Sequence, residues 1–273
     1  MTWYRLGGRA RYLFRPRDAA DLASFMLRAG HESLPVKVLG AGANVLIRDD
    51  GFDGVVVRLD QPAFRRVERN GTTAKVGAGV DLMPMSRRFS RDGLSGLECM
   101  AGIPGTIGGA VRMNAGGRFG EFGRIVREAD LLHPDGVIET WPHDRLGFGY
   151  RRSAISDRIV LSVRLELQED DPVEVTRRYD DCFAYKQRSQ PLTDNSAGCV
   201  FKNPDGQSAG ALIDRAGLKG FSCGLARVSP RHANFIVTDF GARASDVLRL
   251  IDAIRDRVLV LFGTALEIEV DVW

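Results

Sequence analysis

The 273-residue sequence predicts an α+β fold in two parts, and three observations carry that expectation. Strand-like runs of β-branched residues are mixed with helices that show one apolar face. Two glycine-rich turns, Gly40–Asn44 and Gly102–Gly117, are separated by strands and a helix, a spacing that suits a ligand with an extended diphosphate. The composition then shifts at Gln168-Glu-Asp-Asp-Pro172, which places a boundary between segments 1–170 and 171–273.

In chain order, Arg5–Phe14 reads as a turn and a short strand, and 18–29 as a helix with Leu22, Phe25, Met26 and Leu27 on its apolar face. Val36–Leu39 is a strand that runs into Gly40-Ala-Gly-Ala-Asn44, after which Val45–Ile47 reads as another strand. A dinucleotide fingerprint is excluded there, because the third glycine and the following helix are missing. Strands follow at 54–59 and 73–76, then a helix over 81–91 closed by Gly93. His133-Pro-Asp-Gly136 predicts a hairpin between 126–132 and 137–141, and 159–167 alternates as a long strand. Beyond the boundary, 174–188 and 209–216 are helical and 233–238 is a strand. Ser245 is placed to cap an amphipathic helix that carries Val247, Leu248, Leu250, Ile251, Ile254 and Val258 on one face. The chain ends in an alternating strand over 266–272, with Glu267 and Glu269 on one side.

Composition narrows the class. A net charge of +3 with scattered basic residues argues against nucleic acid as a partner. No apolar run is long enough for a membrane span, and the N-terminus shows no signal-peptide core. Cys99, Cys182, Cys199 and Cys223 are far apart and the four histidines are dispersed. A structural metal and a disulfide framework are therefore not expected, and a reducing cytoplasm fits.

The stretch 97–117 is the centre of the sequence. A flexible linker of its glycine density would be rich in Ser, Gln or charge, but this one is rich in Ile, Val, Ala and Met. Such backbone must approach something closely or adopt positive φ. Pro104 removes one donor, and the amides of Gly105, Thr106, Ile107 and Gly108 are expected to face an anion.

Taken together, the motifs Leu6-Gly-Gly8, Gly40–Leu46, Gly96-Leu-Glu98, Gly102–Ala110, Met113–Gly116, Tyr150-Arg151, Gly198–Pro204, Ala216–Gly220, His232–Phe235 and Leu266–Val270 closely resemble the UDP-N-acetylenolpyruvoylglucosamine reductase (MurB) family. The resemblance covers nearly the whole chain. It implies a two-part FAD-binding module of the vanillyl-alcohol-oxidase (PCMH) type, followed by a smaller α+β substrate domain whose last strand returns to the active site. The activity implied is NADPH-dependent reduction of UDP-N-acetylglucosamine enolpyruvate to UDP-N-acetylmuramate, a peptidoglycan precursor, by a cytoplasmic monomer.

Residue roles follow from the same resemblance. Gly40, Ala41, Gly42, Ala43 and Asn44, with Gly102, Ile103, Pro104, Gly105, Thr106, Ile107, Gly108 and Gly109, would hold a non-covalent FAD, and Asn114 would sit near the flavin. Arg151 would stabilise the enolate-like anion with help from Glu269. Tyr150, Lys202, Asn203, Lys219 and His232 would contact substrate. The proton-donor position, usually Ser, is Cys199 here; an ordinary thiol with pKa about 8.5 is chemically able to protonate an enolate. Ala43 likewise replaces a more usual serine. Two other readings stay open on the sequence: a different FAD oxidase or dehydrogenase of the same fold, and a catalytically idle relative that binds flavin or UDP-sugar.

Overall fold

The computed structural model describes residues 1–273, and its contacts divide them into two compact units. The larger comprises Arg11–Ala41 and Asp53–Tyr185; the smaller comprises Met1–Ala10, Gly42–Phe52 and Lys186–Trp273. Seven α-helices occur along the chain: α1 (Ala19–His31), α2 (Leu82–Arg91), α3 (Ile107–Arg112), α4 (His143–Leu146), α5 (Pro172–Ser189), α6 (Ala209–Arg215) and α7 (Ala244–Phe262). No helix is long and apolar enough to cross a membrane.

These units divide the chain elsewhere than at 170/171, and hydrogen bonding explains why. Gln168–Glu169 pairs antiparallel with Leu94–Ser95, and the Asp170 amide donates to the Gly93 carbonyl, so the acidic stretch is tied into the larger unit. The cut falls inside α5. In the smaller unit, Asp271–Val272 pairs in parallel with Val45–Leu46, which joins two segments from opposite ends of the chain.

The larger unit is built on a five-stranded antiparallel sheet in the order Ile138–Pro142, Val126–Leu132, Ile159–Glu166, Thr73–Gly77, Val67–Asn70. The alternation legible in 159–167 is the pleat itself over its second half: Val163, Leu165 and Leu167 are buried, and Arg164 and Glu166 between them are exposed. Leu82, Met85 and Phe89 of α2 share one helical face and join Ile107, Ala110 and Val111 of α3 in the core with Val76, Ala129 and Leu131. A second sheet orders Ala10–Phe14, Phe52–Val57 and Val36–Val38, the last two in parallel.

The smaller unit has its own core, in which Val247, Leu250, Ile251, Ile254 and Val258 of α7 pack with Leu212 and Ile213 of α6. A three-stranded meander, Ser222–Cys223, Ala226–Val228 and Ile236–Thr238, completes it. The strand expected over 266–272 is regular only at Asp271–Val272, because its partner is itself two residues long. Its earlier part makes a single bridge, Ile268 to Phe201.

The start of α7 also differs from expectation. Arg243, not Ser245, is the N-cap residue, and the first amides are met by a carboxylate from the other end of the chain. Asp49 accepts from the Ala244 N–H at 2.8 Å and from the Ser245 N–H at 3.1 Å. Burial opposes charge on Asp49. The Ser245 hydroxyl, the two amides and Arg243 outweigh it, and hold the carboxyl below the usual carboxylate value.

Asp49→Ala is therefore expected to lower the unfolding free energy by about 1–2 kcal/mol at neutral pH, as loss of a helix cap does. The group is more acidic folded than unfolded, so its contribution is complete above the unfolded pKa, about 4, and fades as pH falls through the depressed folded value. Denaturant titrations at several pH values should show the two proteins converging in acid; a gap that persists there would refute the assignment.

Candidate active site

The two glycine-rich turns meet within the larger unit. A Cβ on Gly40 would lie 2.6 Å from Thr106 Oγ1, so only glycine lets the first turn reach the second. At Gly105 a Cβ would meet nothing within 4 Å, so the second turn is open at that point. Of the four amides expected to face an anion, two are committed elsewhere. Ile107 N–H donates to the Val80 carbonyl and Gly108 N–H to the Ala78 carbonyl, each at 2.9 Å. The amides of Gly105 and Thr106 are left as the anion-facing candidates. Gly108 is glycine for packing, since its Cβ would come within 3.1 Å of the Ala78 methyl group.

Gly42, Ala43 and Asn44 belong to the smaller unit. Gly42, at φ +68°, lies against the N-terminal turn, and a Cβ there would come within 2.8 Å of Thr2 Cα. The Asn44 carboxamide, expected to serve the cofactor, donates to the Glu269 main-chain carbonyl at 3.1 Å, and the Asn44 carbonyl accepts from the Asp271 N–H.

Tyr150 and Arg151 form the tip of a tight turn in the larger unit. Gly149 and Arg152 exchange main-chain hydrogen bonds of 3.0 and 3.2 Å across its base. Arg151 is held at φ +54°, a conformation that costs a non-glycine residue of order 1 kcal/mol and tends to mark functional positions. Its guanidinium donates to the Gly116 carbonyl at 2.8 Å and lies 5.1 Å from the centroid of the Tyr150 ring. Asn114 is buried, with its carboxamide hydrogen-bonded to Glu121, Gly149 and Gly123.

The other expected residues fall in the smaller unit. Cys199 bridges to Phe235 on one side, while Glu269 N–H donates to the Val200 carbonyl at 2.8 Å on the other. Cys199 and Glu269 are thereby carried on adjacent, hydrogen-bonded segments. Lys202 pairs with Glu267 both through the main chain and through its ammonium group. Asn203 Oδ1 accepts from the Ala209 N–H at the start of α6. His232 Nδ1 accepts from the Asn234 N–H, and its ring packs edge-on against Phe235. Burial, and secondarily the Lys219 charge, pushes His232 below the usual imidazole value, so it is neutral at pH 7. Lys219 itself is paired with Asp214 at 2.7 Å.

Sequence reasoning missed the bracing residue of this group. Asn234 accepts from the Phe201 N–H at 2.9 Å and donates to the Phe201 carbonyl at 2.7 Å, fixing the segment that carries Cys199. The motif His232-Ala-Asn-Phe235 was visible, but an asparagine between apolar residues was its only signal.

Two family models match the chain. One, described as FAD binding domain, covers residues 10–141; the other, described as UDP-N-acetylenolpyruvoylglucosamine reductase, C-terminal domain, covers residues 190–273. A UDP-N-acetylenolpyruvoylglucosamine reductase from Heliobacterium modesticaldum is 44% identical over 99% of this chain and 87% of its own length. A second, from Symbiobacterium thermophilum, is 40% identical over 100% of this chain and 89% of its own length. The crystal structure of the Thermus caldophilus enzyme is similar at a TM-score of 0.84 and 42% identity, covering 96% of this chain and 91% of that one. The open face at Gly105, closed on one side by Gly40 against Thr106, fits the diphosphate of an FAD.

A side chain at Gly105 would fill that space. Gly105→Val is expected to weaken FAD binding roughly 10- to 100-fold, in line with the usual cost of overpacking. Flavin absorbance of the purified variant, titrated with FAD, measures this; a variant that stays fully yellow on dilution would show that the diphosphate lies elsewhere.

Proposed function

The chain belongs to the UDP-N-acetylenolpyruvoylglucosamine reductase family, and on that premise we propose that it reduces UDP-N-acetylglucosamine enolpyruvate to UDP-N-acetylmuramate with NADPH as the electron source. It is an FAD-dependent oxidoreductase. The observation that carries the substrate half of the reading is the pairing of the Cys199 and Glu269 segments within the matched C-terminal domain.

FAD, when bound, would supply the two-electron chemistry that links NADPH to the enolpyruvyl methylene carbon. The first loop, through Gly40 and Ala41, and the second, through the Gly105 and Thr106 amides, would hold its diphosphate. Hydride addition leaves negative charge on the adjacent carbon, conjugated with the substrate carboxylate. Arg151 holds a fixed cation for that charge, and its hydrogen bond to the Gly116 carbonyl keeps the guanidinium in place. Cys199 delivers the proton to the same carbon, so one hydride and one proton complete the reduction. Glu269 polarises the anion and supports that transfer. Tyr150, Lys202, Asn203, Lys219 and His232 bind the UDP-sugar, the last as a neutral imidazole.

Anaerobic stopped-flow on the flavin-loaded protein separates the two halves. NADPH should bleach the flavin, and the enolpyruvyl UDP-sugar should then restore its colour; reduced flavin that is stable to the sugar but reoxidised by another acceptor would refute the reading. Cys199→Ala should leave bleaching intact and slow reoxidation by roughly 10²–10⁴-fold, the usual worth of a general acid. Cys199→Ser should recover much of that loss. Equal slowing of both halves by Cys199→Ala would remove it as proton donor.

A further inference from the structure

We propose that Asn114 and Glu121 position the Arg151 turn, so that Asn114 is a positioning residue for substrate reduction and not a flavin contact. The inference rests on the reading that Arg151 meets the developing anion.

The connection is a closed ring of hydrogen bonds within the larger unit. Asn114 Nδ2 donates to the Gly149 carbonyl at 3.0 Å, at the base of the turn that carries Tyr150 and Arg151. The same nitrogen donates to Glu121 Oε2 at 3.0 Å, and Asn114 Oδ1 accepts from the Gly123 N–H at 2.9 Å. Glu121 belongs to a short hairpin in which Gly116–Gly117 pairs with Gly120–Glu121. The carbonyl of Gly116 in that hairpin accepts from Arg151 Nη2 at 2.8 Å, which closes the ring. One carboxamide therefore fixes the root of the turn, and the hairpin it anchors fixes the guanidinium at the tip.

Both donors of the Asn114 amide are engaged, which leaves none to offer a ligand. Asn114 also sits at φ +44°, a conformation asparagine tolerates better than most residues. The far end of the hairpin is braced as well: the Phe119 ring meets Tyr185 edge-on at 5.3 Å, and the Arg118 guanidinium lies 5.5 Å from the centroid of the same ring. The ring thus ties both the base of the turn and the guanidinium at its tip to the same hairpin.

Asn114→Gly tests this, because glycine keeps the positive φ and deletes only the carboxamide. In the flavin-loaded variant, reduction by NADPH should stay within about 3-fold of the parent, while reoxidation by the enolpyruvyl UDP-sugar slows about 100-fold, the cost of misplacing a reacting group by about 1 Å. The KM for that sugar should change far less than kcat. In the flavin-free protein, hydrogen exchange at the Gly149 and Arg152 amides should accelerate. Glu121→Gln, which keeps an acceptor for Asn114, should stay near parental rates, and Glu121→Ala should fall between the two. Loss of flavin from Asn114→Gly, equal slowing of both halves, or unchanged reoxidation would each overturn the proposal. Arg151→Ala, measured alongside, separates the two levels. Slow reoxidation in Arg151→Ala with parental behaviour in Asn114→Gly would reject the positioning role alone, whereas unchanged reoxidation in Arg151→Ala would reject the role given to Arg151 itself. Should Asn114→Gly fail to fold, Glu121→Ala carries the same test.

Discussion

Everything in the larger unit depends on how one short backbone segment grips the glycine-rich loop. Ala78–Leu82 makes three main-chain hydrogen bonds to it: Gly108 N–H to Ala78, Ile107 N–H to Val80, and Leu82 N–H back to the Gly105 carbonyl. Ala78 is in turn tied through its own amide to Leu161 in the central strand of the five-stranded sheet. The loop is therefore an extension of the sheet's hydrogen bonding. The grip demands space: a Cβ on Gly79 would come within 1.8 Å of the Leu59 carbonyl oxygen. Glycine is needed in the segment that holds the loop because of Leu59 and Phe64 behind it, and at Gly108 in the loop because of Ala78.

This division explains which features could be read from the sequence. The strands Val126–Leu132 and Ile159–Glu166 were legible because each is long enough for a period of two to show, and α2 and α7 because their apolar positions repeat at helical spacing. The pairs Gly116–Gly117 with Gly120–Glu121 and Ser222–Cys223 with Ala226–Val228 were not, since two or three residues carry no period. The cap of α7 was placed on Ser245 because the sequence offers a local hydroxyl; the carboxylate that meets the helix comes from Asp49, which no local pattern can reveal. The same remoteness moved the division between units: residues 168–170 look like a linker by composition, yet they complete a sheet with Leu94–Ser95.

For the site, motif spacing names candidate residues but is silent on what their polar groups already hold. Ile107 and Gly108 stand in a run that reads as a uniform cradle, and only their partners Val80 and Ala78 show that two of the expected amides serve the fold. Asn44 is expected among the residues that hold FAD, and its carboxamide also reaches the Glu269 carbonyl near the opposite end of the chain. Side-chain type and neighbours in sequence identify a candidate. The direction of its hydrogen bonds decides what it does, and that direction is set by contacts far away along the chain.

Asparagine is the residue this fold uses to solve a problem common to loop-borne sites. A functional side chain on irregular backbone has no ladder to hold its main chain, and buried peptide groups without partners are costly. A carboxamide offers one acceptor and two donors in the arrangement of a peptide group, so it can replace a missing strand. Asn234 does so for both main-chain groups of Phe201, Asn44 for the carbonyl of Glu269, and Asn114 for the Gly149 carbonyl beneath Arg151. In each case the bond lands beside a proposed catalytic residue, so that residue's own side chain need not hold its backbone in place. Aspartate has the same shape but, when ionised, only accepts; set against a carbonyl it would repel where asparagine binds. The amide at these positions is thus required by the backbone it holds, whichever ligand the site takes.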